Sequence, residues 1–169
     1  MNFTLRPWKR SDIKSLVRYA NNPLVAMNLT DMFPHPYTRE AAKDFVRKMN
    51  KFNPLQVFAI DVDGEAVGSI GVFPNFDVRR NNAEIGYWLA EPYWGKGIMT
   101  EAVKQMVQYG FDTFGVNRIF AGCFGRNIAS HRVLEKAGFA VEARFEKTLV
   151  KNNELLDEVV YAIRKQSLL

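Results

Sequence analysis

The chain predicts a mixed α/β (α+β) fold, with a mostly antiparallel central sheet of about seven strands flanked by about four helices. Three observations carry this. Short runs alternating apolar and polar residues, the period of a half-buried strand, are interleaved with runs of helical period. Compact turn signals, Asp63-Gly64 and Lys151-Asn152-Asn153-Glu154, join neighbouring runs into hairpins. The resulting order, β-α-α-β-β-β-α-β-α-β-β, builds the sheet mostly from antiparallel meanders. With 169 residues and no repeat, low-complexity tract or linker, a single domain over 1–169 is expected, large enough to bury a core without staples.

Residues 3–7 read as a first strand, and Ser11 is placed to cap a helix over 11–20 whose apolar face is Ile13, Leu16, Val17 and Ala20. Residues 21–37 read as irregular, punctuated by Pro23, Pro34 and Pro36, and a connection of that length is usually functional or mobile. Thr38 is a second N-cap, with Ala41, Ala42, Phe45, Val46 and Met49 behind it. Strands follow over 56–62, 65–73 and 82–89, then a helix over 98–114 and a strand over 118–124. A short helix over 129–137 ends at Gly138, and strands over 140–150 and 155–163 close the chain.

Composition narrows the class of protein. A hydrophobic content of 47% and an aromatic content of 13% describe a globular chain. No apolar run approaches membrane-spanning length, and the first residues read as strand rather than secretory leader. Cys123 is the only cysteine, so no internal disulfide forms and no metal site is expected; a reducing, cytoplasmic setting fits. The net charge of +5 reads as a solvated surface or as attraction to an anionic partner. Arg79-Arg80, Lys147, Lys151 and Arg164-Lys165 form no single stripe, and no nucleic-acid-binding motif occurs, so direct DNA binding is not expected.

The chemistry gathers around Tyr93-Trp94-Gly95-Lys96-Gly97-Ile98-Met99-Thr100-Glu101-Ala102, where an alternating run ends and a long helical run begins. Two glycines there allow a tight turn whose backbone N–H groups converge beside the positive end of a helix dipole. A phosphate or pyrophosphate suits that position. Elsewhere, Glu84 is a carboxylate inside the apolar run Ala83-Glu84-Ile85-Gly86-Tyr87-Trp88-Leu89. It points to solvent or pairs with Arg79 or Arg80, or it is tuned as a base. Asn127 is an N-cap for the short helix and Ser130 a small polar residue in its first turn. His131 is expected on the exposed side of that helix, His35 in solvent, and Cys123 in the core.

With Gly125-Arg126-Asn127-Ile128-Ala129-Ser130 and Gly138-Phe139 following in order, the chain resembles the GNAT superfamily of acyl-CoA-dependent N-acetyltransferases over nearly its whole length. YWGKGIMTEA and NIASHRVLEKAGF are most similar to the subgroup that acetylates the N-terminal alanine or serine of ribosomal proteins. The resemblance implies acetyl-CoA as donor, with its pyrophosphate held by Trp94, Gly95, Lys96, Gly97, Ile98 and Met99. The family pattern has Gln or Arg where Trp94 stands and Gly or Ala where Met99 stands, so the match lies in backbone more than in side chains. It implies further that Trp88, Leu89 and Ala90 pair with the pantetheine amides and that Asn127 touches the same arm. Glu84 is then a general base acting through water, and Ser130 the donor to the leaving thiolate, because the usual tyrosine position is Leu134 here. His35 falls in the loop that lines the family's acceptor pocket. The implied partners are acetyl-CoA and a primary amine, foremost a protein N-terminus, on a monomer or homodimer. A polyamine, amino acid or amino sugar acceptor, and a non-catalytic CoA-binding module, are the alternatives.

Overall fold

The computed structural model describes residues 1–165. In chain order these form β1 (Thr4–Arg6), α1 (Ile13–Ala20), α2 (Pro23–Ala26), α3 (Arg39–Met49), β2 (Val57–Val62), β3 (Glu65–Pro74), β4 (Asn82–Leu89), α4 (Ile98–Phe114), β5 (Arg118–Phe124), α5 (Ile128–Lys136), β6 (Ala140–Lys151) and β7 (Glu154–Arg164). The seven strands make one sheet in the order β1-β2-β3-β4-β5-β7-β6. Of the pairings, β4 with β5 is parallel, while β1–β2, β2–β3, β5–β7 and β6–β7 are antiparallel. The described chain divides into two compact units, one of Met1–Gly71 and Tyr87–Ala102, the other of Val72–Gly86 and the described residues from Val103 on. Strands β3 and β4 and helix α4 each supply residues to both.

In the first unit, Arg6 is the anchor. Its guanidinium donates to both carboxylate oxygens of Asp12, at 2.7 and 2.9 Å, and to Asp61 at 2.6 Å. Charge-assisted forks of this kind hold one geometry, and here they fix β1 against β2 and the entry to α1. The start of α1 therefore differs from expectation. Ser11 is not its cap; Arg10–Asp12 form a 3-10 turn, and the Asp12 carboxylate accepts from Lys9 N at 2.8 Å. The 21–37 stretch is also less irregular than expected. Asn22 accepts from Leu24 N at 2.8 Å and Pro23 opens the single turn of α2, which raises the helix count to five. Thr38 caps α3 as expected, accepting from Ala41 N at 3.1 Å. The β2–β3 hairpin turns at Asp63 and Gly64, both at positive φ. Trp8, Leu16, Ala42, Val46, Ile60, Val67 and Ile70 form the core.

In the second unit, strict alternation along β4 and β5 separates two faces. Ala83, Ile85, Ile119, Ala121 and Cys123 are buried, while Glu84, Gly86 and Gly122 are exposed. Helix α4 lies so close to this sheet that a Cβ on Gly110 would sit 2.8 Å from the Ile119 Cδ1 and 3.2 Å from Val72. The parallel ladder of β4 with β5 is only three pairs long and ends at Glu84 opposite Phe120. The β6–β7 hairpin turns at Asn152 and Asn153, both left-handed, and a register break between Phe145 and Leu149 carries Lys147 at φ 51°. Met106, Ile119, Leu134 and Tyr161 are fully buried, each aliphatic chain worth about 1.5–3 kcal/mol.

Candidate active site

The glycine turn belongs to the first unit. Gly95 and Gly97 have φ of +72° and +77°, a region where a side chain is strained, and among the described residues nothing beyond the adjoining ones lies within 4 Å of a Cβ built on either. Glycine is required here by backbone conformation, and the space beside the turn is open. Helix α4 begins at once, with its first 5→1 bond from Glu101 N to Gly97 O at 3.2 Å. The N–H groups of Ile98, Met99 and Thr100 therefore have no acceptor within the helix. Open space, left-handed glycines and helix N–H groups together fit a pyrophosphate, so the turn passes as a seat for acetyl-CoA.

The side chains around the turn point to structural work. Trp94 donates from Nε1 to Leu89 O at 2.7 Å, tying the turn to the end of β4. Lys96 lies over the Tyr93 ring, 5.3 Å from its centroid, and Tyr93 meets Tyr19 edge-on at 6.1 Å. Ile98 and Met99 are buried. At the end of β4, Trp88 and Leu89 are buried, the Trp88 carbonyl would stand 2.6 Å from a Cβ on Gly68, and Ala90 N donates to Val67 O at 2.8 Å. The Leu89 carbonyl and the Ala90 N–H are thus engaged within the protein, which limits what this segment offers a ligand to its remaining main-chain groups. Phe33, from the 21–37 segment, packs on Trp88 at 5.9 Å and on Tyr37 at 5.0 Å. Tyr37 is buried and its phenol is pushed up to about 12 by that burial, while His35 is exposed as expected.

The remaining candidates belong to the second unit. Glu84 projects from the exposed face of β4 and makes no ion pair with Arg79 or Arg80 among the described residues. Its carboxyl is raised above the ordinary 4.5, first by desolvation from the protein packed around it and then by the negative charge of Glu158. An exposed residue with a desolvated carboxyl is open to solvent on one side and crowded on the others. Asn127 is the cap of α5, accepting from Ser130 N at 3.3 Å. The Ser130 hydroxyl lies 3.4 Å from the Cys123 sulfur. Burial raises the Cys123 thiol, the Ser130 contact lowers it and Glu158 raises it further, so the thiol stays protonated and unsuited to nucleophilic work.

His131 overturns expectation. It is 8% exposed, not on the outer side of α5. Its Nε2 lies 3.1 Å from Gly125 O, its ring packs at a tilt on Tyr161 at 5.4 Å, and its buried Nδ1 has no hydrogen-bond partner among the described residues. Beneath it, Tyr161 donates to Glu135 at 3.1 Å. Glu158, absent from the sequence candidates, is the other finding. Its one available signal was a carboxylate in the closing strand, and only the pairing register shows that it shares a face with Glu84.

A family model described as an acetyltransferase (GNAT) domain matches residues 2–140. The chain belongs to the GNAT family. Among its relatives it is 36% identical to the uncharacterized N-acetyltransferase YnaD of Bacillus subtilis (strain 168), over 77% of this chain and 76% of YnaD. It is 27% identical to the spermidine N(1)-acetyltransferase of Escherichia coli (strain K12), over 82% of this chain and 73% of that enzyme. The crystal structure of the ribosomal-protein-S5-alanine acetyltransferase from Vibrio fischeri superposes with a TM-score of 0.81 at 25% identity, over 99% of this chain and 95% of that one. This GNAT chain is therefore an N-acetyltransferase, with the mixed sheet and helices of that fold. No helix among the described residues is long and apolar enough to cross a membrane.

Proposed function

We propose that this protein is an acetyl-CoA-dependent N-acetyltransferase that acts as one domain over 1–169 and acetylates a protein or peptide N-terminus by direct attack. The donor reading rests on the open, left-handed Gly95-Lys96-Gly97 turn at the start of α4. Residues 94–99 cradle the pyrophosphate, mostly through N–H groups, the remaining main-chain groups of Trp88, Leu89 and Ala90 line the pantetheine arm, and Asn127 contacts the same arm while capping α5. Likeness to the S5-alanine acetyltransferase supports the N-terminal acceptor. Likeness to the spermidine enzyme supports a small amine as the second reading. The single free cysteine suits a reducing cytoplasm.

Bound acetyl-CoA supplies a thioester; as the amine nitrogen forms the new C–N bond, the C–S bond breaks and its electrons leave with sulfur. The acceptor reaches the site as an ammonium and must lose a proton first. Glu84 takes that proton, through water, and its raised carboxyl is the better base for it. Ser130 donates a hydrogen bond from its hydroxyl to the departing thiolate, which takes up the second proton that the nitrogen sheds as the amide forms. Much of the rate comes from holding both substrates in one geometry. Thiol release from acetyl-CoA, measured with Ala- and Ser-initiated peptides beside spermidine, tests the acceptor. Release with the peptides is expected; release with spermidine alone overturns the N-terminal reading.

A further inference from the structure

The exposed face of the second unit holds two carboxylates that have no counter-ion among the described residues. In the β4–β5–β7 ladder, Glu84 stands opposite Phe120, Gly122 opposite Val160, and Phe124 opposite Glu158. Facing residues share a side of the sheet, and positions two apart stay on that side, so Glu84, Phe120, Gly122, Phe124, Val160 and Glu158 form one surface. Glu158 does not stand upright on it. Its Oε1 lies 2.7 Å from where a Cβ on Gly122 would be, so the carboxylate leans back from the level of Phe124 toward that of Phe120, where Glu84 stands. The missing side chain at Gly122 is what makes room. Strand dimensions then place the Glu84 backbone ~7 Å along and ~5 Å across from the spot that Glu158 occupies. A short flexible diamine spans that interval.

Neither carboxylate has a hydrogen bond or an ion pair among the described residues. Arg118, two residues before Phe120 on the same side of β5, is already held by Glu142 and Asn82. The charge of Glu158 also contributes to the raised carboxyl of Glu84, so the two sense each other. One ammonium satisfies only half of this arrangement.

We propose that Glu158 is a specificity-determining residue of the acceptor site, and that the acceptor is a primary amine carrying a second cationic group, which Glu158 receives while the reacting amine meets Glu84. This rests on the reading of Glu84 as the acceptor's base, and it applies equally to a diamine or to an N-terminus followed by a basic side chain. Val160, on the same side of the sheet, suits the methylenes between the two charges, while the Phe120 ring carries the Arg118 guanidinium at 4.6 Å.

The test compares acceptors differing only in the second charge, by calorimetry, so that it needs no turnover. The intact protein is titrated with 1,4-diaminobutane against 1-aminobutane, and with Ala-Lys amide against Ala-norleucine amide. In at least one pair the dicationic member is expected to bind about tenfold tighter, and Glu158→Gln to bring that pair within about twofold, weakening the dication far more than the monocation. The pair that shows the preference identifies the source of the second charge. Gly122→Ala provides a second route, because its methyl displaces the Glu158 carboxylate without removing it, and the preference should shrink again. Equal binding within both pairs, binding of neither member, or a preference that survives both variants overturns the proposal. Failure of Glu84 as base appears separately, as turnover retained in Glu84→Gln.

Discussion

The proposed donor turn and the second unit's candidate residues are built on opposite terms. Around Gly95 and Gly97 the side chains are either turned to structural tasks, as Trp94 and Lys96 are, or buried, as Ile98 and Met99 are. What remains for a ligand is backbone, shaped by two left-handed residues. In the second unit β4 and β5 alternate regularly, and the chemistry proposed above rests on the side chains of Glu84, Ser130 and Glu158. The contrast teaches where each region tolerates change: the first answers to bulk and φ, the second to the loss of single atoms.

The sharpest way to break this contrast is an isosteric change in the second unit. Glu84→Gln should lower kcat/KM about 1,000-fold with acetyl-CoA affinity unchanged, as expected for a lost general base. In the unsubstituted protein the acid limb of the pH–rate profile should lie above the ordinary carboxylate range and vanish in the variant. The sign for stability is opposite to that of a salt-bridged acid. Because the folded carboxyl is raised, the folded state holds its proton more tightly, and stability falls as pH rises from 4.5 through the raised value. Glu84→Gln should therefore unfold no earlier than the parent at neutral pH. Earlier unfolding together with an unmoved acid limb would make Glu84 structural.

In the first unit, Gly97→Glu should weaken acetyl-CoA binding about 100-fold or more, from strain at φ +77° together with bulk and charge in the open space. Retained affinity would mean the pyrophosphate sits elsewhere. Lys96→Ala gives the smallest expected effect, about threefold in acetyl-CoA affinity, because its ammonium already rests on Tyr93 and the cradle is backbone. A loss as large as that of Gly97→Glu would return the cradle to side-chain control and erase the contrast.

The same division explains what was legible beforehand. Local rules placed β4 at 82–89, α4 at 98–114 and β5 at 118–124, because alternation, helical period and the glycine turn are written in adjacent residues. They missed α2, a single proline-led turn too short for any periodicity to register. They put Ser11 at a cap that Asp12 displaces, since the competing guanidinium of Arg6 could not be foreseen from spacing. The errors in the second unit share one cause. His131 is buried by Tyr161 and held by Gly125 O, and Glu158 gains meaning from the register of β7 on β5. Both depend on which strands meet and in what alignment, and a one-residue slip would reverse both outcomes.

Trp94 has a use beyond holding the turn. The chain has three tryptophans; Trp8 and Trp88 are 2% and 8% exposed, whereas Trp94 is 44% exposed and fastened to Leu89 O beside Gly95. Two indoles thus lie in dry surroundings and one at a wet site next to the proposed donor seat. The long-wavelength edge of the protein's intrinsic fluorescence should therefore come from Trp94, an optical reporter of whatever settles on the glycine turn.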